Sequence, residues 1–186
     1  DLHLCDRRQR QMCIRDSIVT DQEEVGEQLK EKGYEVFLCS YMAGDIERRY
    51  RFRHYLSEVF KRKIFMKSGG FLYIEQTEAM AVIDVNTGKS IGKKNQEAHI
   101  KKINLEAAKE AARQIRLRNL SGIIMIDFID MKDPEHKEKV LQALERATAK
   151  DPVQTTVVDM TALGLVEVTR KKVRKSFYEQ LKKGQD

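Results

Sequence analysis

The chain has 186 residues, of which 34% are charged and 41% hydrophobic, and a net charge of +6. Its mean hydropathy is −0.57, and no stretch approaches the roughly 20 apolar residues of a bilayer-crossing helix, so no membrane span is expected. The length suffices for one domain, or one and part of another, and the basic balance permits an anionic partner without identifying it.

Residues 1–17 do not read like the remainder. They hold Cys5 and Cys13, show neither helical nor alternating periodicity, and carry a net charge of only +1. They resemble translated adapter scars at the ends of open reading frames and are set aside as a non-native leader; a basic RNA-contacting arm is the competing reading. With Cys39 the cysteines number three and form no Cys-x-x-Cys unit. Such a sparse, odd set fits a reducing cytoplasm without disulfides.

From Ile18 strand and helix signals alternate. Ile18–Thr20 reads as a strand end, Asp21 as the N-cap of a helix to Lys32 closed by Gly33, and Tyr34–Ser40 as a strand. After Gly44-Asp45 comes a basic helix over about Arg48–Arg62. Between Arg48 and Lys67 there are eight Lys/Arg against one acidic residue, interleaved with Tyr50, Phe52, Tyr55, Phe60 and Phe65. That mixture can bind phosphates and stack bases; read as an ordinary amphipathic helix, it turns its aromatics to the core and its arginines to water. Ile64–Lys67 is extended, Ser68-Gly-Gly70 is a turn, and Phe71–Gln76 is a strand that forms a hairpin with the next.

Thr87–Asn95 is a polar loop containing Lys89, Lys93 and Lys94, and Asn95 caps the longest helix, to about Arg118. Ile100, Ile103, Ala107, Ala111 and Ile115 fall near one face of it. Arg113, Arg116 and Arg118 crowd its C-terminal end, where the helix dipole favours cations and where RNA contact is also possible. Asn119–Gly122 turns the chain into another strand. Asp133 and Pro134 start a helix that ends near Lys150, and strands follow over Val153–Met160 and Gly164–Thr169. The basic tail shows no final apolar element. These elements predict an α/β fold with a mixed sheet flanked by helices.

Two strands carry the chemistry. Ala79-Met-Ala-Val-Ile-Asp84-Val-Asn86 and Ile123-Ile-Met-Ile-Asp127 are apolar runs, as expected of strands buried on both faces, and each ends in a carboxylate. Ligands gather at the carboxyl ends of strands in open α/β sheets, so adjacent strands would bring Asp84 and Asp127 together, with Asn86 nearby. Two hard oxygen ligands suit Mg²⁺, which completes its shell with water and phosphate. Taken singly, each aspartate could merely cap a following turn. Asp130 is a weaker third candidate. Thr87-Gly-Lys-Ser90 fails as a phosphate loop because position 83 is Ile where that motif needs Gly. His3, His54, His99 and His136 form no metal-ligating or nucleophile-activating set.

Lys67–Gly88, Asn104-Leu-Glu-Ala-Ala108, Ala112-Arg-Gln-Ile-Arg-Leu-Arg118 and Gly122-Ile-Ile-Met-Ile-Asp-Phe-Ile-Asp-Met131 together resemble, in order and spacing, the catalytic core of the ribonuclease E/G family. The likeness runs from about Ile18 to the C-terminus. It implies a single-strand-specific endoribonuclease of RNA decay and ribosomal RNA processing. Asp84 and Asp127 would be its magnesium ligands and Asn86 would orient Asp84, with in-line attack of water leaving 5′-phosphate and 3′-hydroxyl ends. Lys89, Lys93, Lys94, Arg116 and Arg118 would contact RNA. The implied architecture is a deoxyribonuclease I-like subdomain over 68–186, preceded by part of a ribonuclease H-like subdomain over 18–67. The family's S1 domain, 5′-end sensor and Cys-Pro-x-Cys zinc link are not found in this sequence. No zinc site is therefore expected, and the zinc-linked homo-oligomer of the family is not expected either. Two other classes stay open: an inactive RNA-binding or assembly module of the same fold, and a metal-dependent phosphodiesterase acting on DNA or a small ester.

Overall fold

The computed structural model describes residues 18–39, 45–88, 96–161 and 163–182; the leader assigned to 1–17 and the expected Asn95 cap lie outside the described residues. The chain divides between Glu58 and Val59 into two compact units. No helix among the described residues is long and apolar enough to cross a membrane.

In the first unit β1 (Ile18–Thr20) and β2 (Val36–Leu38) pair in parallel, joined by α1 (Glu23–Glu31). Asp21 is not the cap of α1. That position falls to Gln22, whose side chain makes no capping bond and whose amide donates to Thr20 Oγ1 at 3.1 Å. Gly33 closes the helix as expected, at φ 84°. The single basic helix read from the sequence is two, α2 (Asp45–Tyr50) and α3 (Phe52–Phe60). Arg51 sits between them at φ 48°, and the Glu47 carboxylate takes the Arg53 amide at 3.0 Å. A carboxylate there satisfies a first-turn donor of α3 that the interruption of the helix leaves without an intrahelical partner.

The second unit is a six-stranded sheet in the order β3 (Lys63–Phe65), β4 (Gly70–Gln76), β5 (Met80–Thr87), β6 (Gly122–Asp127), β8 (Leu165–Arg170), β7 (Thr155–Met160). Only β5 and β6 are parallel, because α4 (Gln96–Arg118) carries the chain between them. The sheet is thus mixed, as the sequence predicts. α4 buries Ile100, Ile103, Ala107, Ala108, Ala111, Ala112 and Ile115. Beneath it lie Leu72 and Ile74 of β4, Ala81, Ile83 and Val85 of β5, and Ile124 and Ile126 of β6. α5 (Pro134–Thr148) adds Val140 and Leu144; its cap is Asp133, which accepts the Glu135 amide at 2.9 Å, with Pro134 next.

The central strands are buried on one face only, not on both. Along β5 burial alternates, and on the opposite side Met80 and Ile123 are exposed while Val82 and Met125 are half-buried. The uniform apolar runs hid this two-residue alternation. The tail also differs from expectation: α6 (Phe177–Lys182) forms there. Ser176 and Glu179 exchange bonds, amide 176 to Glu179 Oε2 at 2.7 Å and amide 179 to Ser176 Oγ at 3.3 Å. This is a capping box, readable as Ser-x-x-Glu, and Phe177 stacks on Phe60 at 5.3 Å.

The end of the unit away from the aspartates is tied by a buried ion pair. Arg170 Nε donates to Asp151 Oδ2 at 2.8 Å, with the two side chains only 4% and 1% exposed. Arg170 Nη1 reaches Asn119 Oδ1 and the Leu120 carbonyl, while Asp151 also accepts from the Val153 amide and the Thr155 hydroxyl. Burial alone would raise the Asp151 carboxyl, but Arg170 and these donors outweigh it and hold it below the ordinary range. Asp151→Ala strands the arginine and is expected to cost about 3–5 kcal/mol in urea denaturation. The pair's stabilisation is fully present above the unfolded aspartate range and lost as pH falls through the depressed folded value, so wild type and variant should converge in strongly acidic melts.

Candidate metal centre

Register sets Asp84 directly opposite Asp127 on the parallel neighbours β5 and β6. One position earlier, Ile83 and Ile126 are also partners, and both are fully buried. Side chains alternate along a strand, so the two carboxylates project from the open face. They sit at the carboxyl ends of the only parallel pair in this sheet, where a βαβ unit places its ligands. Asn86 lies two residues further along β5, on the same face, and its Nδ2 donates to Asp84 Oδ2 at 2.7 Å. That bond fixes one carboxylate oxygen and leaves the other free.

The electrostatics match an unneutralised pair. Asp127 is exposed by surface area, yet its carboxyl is raised, first by partial desolvation at the sheet surface and then by the charge of Asp84. A divalent cation between them would remove that repulsion. Among the described residues no group of three or more His, Cys, Asp or Glu side chains is arranged so that it could hold a metal ion. Two carboxylates with one orienting amide fit Mg²⁺, which keeps most of its shell as water and phosphate oxygen.

α4 braces the backbone on both sides of the pair. Its Asn104 is fully buried; Nδ2 donates to the Ile129 carbonyl at 2.7 Å, and Oδ1 accepts the Ile129 amide at 3.2 Å. Glu97 accepts the Lys132 amide at 3.1 Å. These two residues hold the segment that leaves β6 just after Asp127. Glu106 accepts the Lys67 and Ser68 amides at 2.9 and 2.8 Å, holding the turn between β3 and β4. Gly69 of that turn, at φ +92°, receives the Gly88 amide at 3.1 Å, and a Cβ on Gly88 would lie 2.2 Å from the Gly69 oxygen. No side chain fits at Gly88, one residue past the end of β5. Sequence reasoning missed Glu97, Asn104 and Glu106 as braces; polar residues on the inward side of an apolar helix face were the available signal.

Lys89, Lys93 and Lys94 lie outside the described residues. Arg116 and Arg118 are not brought to the pair: they stand near the start of β6, whose six residues separate its ends by roughly 17 Å. Arg116 donates to the Ala147 carbonyl. Arg118 donates to Gln114 and to the Lys61 carbonyl; burial lowers its pKa, only partly offset by Glu110. Asp130 faces solvent, 3.6 Å from Lys137 Nζ.

A family model described as the Ribonuclease E/G family matches residues 5–173. Ribonuclease G of Escherichia coli K12 is 51% identical over 122 residues, covering 66% of this chain and 25% of that protein. Ribonuclease G of Haemophilus influenzae is 53% identical over 116 residues, 62% of this chain and 24% of that protein. Ribonuclease E of Nostoc sp. PCC 7120 is 39% identical over 130 residues, 70% of this chain and 19% of that protein. The chain thus spans about a quarter or less of the length of these relatives.

Because ionised Asp127 is disfavoured in the fold, Asp127→Asn should raise the melting temperature at neutral pH. The sign follows from the raised carboxyl: its ionisation costs the folded state nothing below the unfolded range and increasingly more as pH rises through the folded value. The gain should therefore vanish in acid. Adding Mg²⁺ should raise the melting temperature of wild type but not of the Asp84→Asn, Asp127→Asn double variant. A Mg²⁺ response retained in the double variant would remove these residues from the metal site.

Proposed function

Because the chain belongs to the ribonuclease E/G family, we propose that it is the catalytic segment of a magnesium-dependent endoribonuclease that cuts single-stranded RNA. The observation that carries this reading is the Asp84–Asp127 pairing with its Asn86 hydrogen bond. Asp84 and Asp127 would hold the ion, and Asn86 keeps Asp84 turned toward it. Magnesium, when bound, supplies Lewis-acid polarisation of a phosphodiester and a nucleophilic water. Lys89, Lys93 and Lys94 follow β5 in the chain and supply cations for the flanking phosphates.

Hydrolysis in this scheme leaves 5′-phosphate and 3′-hydroxyl ends, and the cellular role is RNA decay and ribosomal RNA processing in the cytoplasm. Residues 68–186 would form a deoxyribonuclease I-like subdomain and residues 18–67 part of a ribonuclease H-like one. Arg116 and Arg118 would contact RNA through the donors that their bonds within the fold leave over.

A 5′-labelled single-stranded oligoribonucleotide incubated with Mg²⁺ tests the proposal. Asp84→Asn and Asp127→Asn should each lower turnover by at least about 100-fold, more than loss of an outer-sphere partner costs. Asn86→Ala should lower it by about 10-fold or more. RNA binding with no Mg²⁺-dependent cutting in wild type would instead favour a binding or assembly module, and equal cutting of DNA a broader phosphodiesterase.

Positioning can supply roughly 7–11 kcal/mol of barrier reduction, and cationic contacts to phosphate weaken steeply with salt. The chain alone is therefore expected to cut slowly and to lose most activity between low and physiological salt. Turnover at physiological salt equal to that of a full-length relative would contradict this.

A further inference from the structure

Beside the carboxylates, β3 and β4 carry a patch that the fold does not use. Register sets Lys63 opposite Tyr73 and Phe65 opposite Phe71, and then Tyr73 opposite Asp84 and Phe71 opposite Asn86. All four side chains therefore share the open face with the site. Phe65 and Phe71 meet edge to face with centroids 6.1 Å apart, as do Phe71 and Tyr73 at 5.5 Å. Lys63 Nζ lies 3.8 Å from the Phe71 centroid, 5.0 Å from Phe65 and 5.4 Å from Tyr73. Core packing does not explain these rings. Leu72 and Ile74 fill the buried side of β4, whereas Phe65 is 76% and Tyr73 40% exposed.

We propose that Phe65, Phe71 and Tyr73, with Lys63, form a base-stacking platform for the nucleotides that flank the phosphate held at Asp84 and Asp127. This rests on the nuclease reading above. Strands lie about 4.8 Å apart, so Tyr73 is one spacing and Phe65 two spacings from β5, roughly 5 and 10 Å. A strand whose phosphate lies at the carboxylates would bring its next one or two bases to the rings. Stacking on an aromatic side chain is tolerant of base identity, which suits an enzyme that must accept varied single strands. Ring quadrupoles hold the Lys63 ammonium in place, ready for a phosphate oxygen. The nearest acid along β4 on this face, Glu75, is answered by Arg62 at 3.5 Å. A covering protein element would have to bury Lys63 and both aspartates unpaired, at heavy desolvation cost. A polynucleotide brings phosphates for the cation and π faces for the rings.

The chain contains no tryptophan, so Phe65→Trp places a lone fluorescent indole at the exposed position. In the full chain with EDTA, its emission should be that of a solvent-exposed indole and should be quenched by a single-stranded oligoribonucleotide, but not by the same strand made abasic. By anisotropy, Phe65→Ala with Tyr73→Leu should weaken binding of the normal strand by roughly 5- to 150-fold and leave the abasic strand unchanged. Lys63→Ala should instead flatten the dependence of log affinity on log salt by about 0.7. An indole already shielded without RNA, or equal affinity for normal and abasic strands, overturns the platform. Cleavage with Mg²⁺ is read separately. Cutting that persists without base-dependent binding defeats the platform alone, and base-dependent binding without cutting defeats the nuclease reading alone.

Discussion

Everything on the open face depends on how closely α4 can lie against the sheet. Ala107, Ala108, Ala111 and Ala112 are at most 1% exposed, and side chains this short let helix and strands approach at the near end of the usual packing distances. Ile100, Ile103 and Ile115 fill the space at either end of that stripe. The contact also fixes register. A slip of one residue in β5 would turn Ile83 to water and drive Asp84 into the core, where an unpaired carboxylate is far too costly to keep. The hydrophobic packing on one face is thus what determines the charge placement on the other.

The outline of this arrangement was readable from the chain. Apolar runs ended by Asp84 and Asp127, a long helix between them and Pro134 after Asp133 were enough to place four elements and the aspartate pair. What remained hidden has particular causes. Uniform apolar composition in β5 and β6 masked the alternation, because Met80, Val82, Ile123 and Met125 are apolar yet stand on the open face. Arg51 in a left-handed conformation has no sequence signature, and it splits a helix that periodicity alone draws as continuous. The capping box at Ser176 and Glu179 is present in the sequence, but the six-residue helix it starts is too short to show a helical period among the surrounding basic residues. Arg116 and Arg118 also have roles within the fold that charge alone did not reveal: each guanidinium donates to a backbone carbonyl.

The second unit is therefore braced at both ends by different chemistry. At the end near the aspartates, neutral and anionic side chains of α4 hold backbone amides and carbonyls. At the far end a buried arginine holds Asp151, Asn119 and a carbonyl together. The net positive charge of the chain is a poor guide to either. The carboxylate pair is locally anionic within a basic protein, a contrast that attracts a cation at short range and a polyanion at long range.

The crossover has a further consequence for how the chain reaches this state. Tyr73 and Asp84 face each other across 11 positions of sequence, whereas Asp84 and Asp127 are separated by 43. In loop-closure entropy the longer span costs only about 1 kcal/mol more, so it hardly weakens the finished molecule. In time it matters more, since non-local and parallel pairings are the slow ones. The hairpin with its aromatic edge can close locally, whereas the two carboxylates meet only when β6 has docked beside β5. The topology thus favours early closure of the surface beside the site over closure of the site itself.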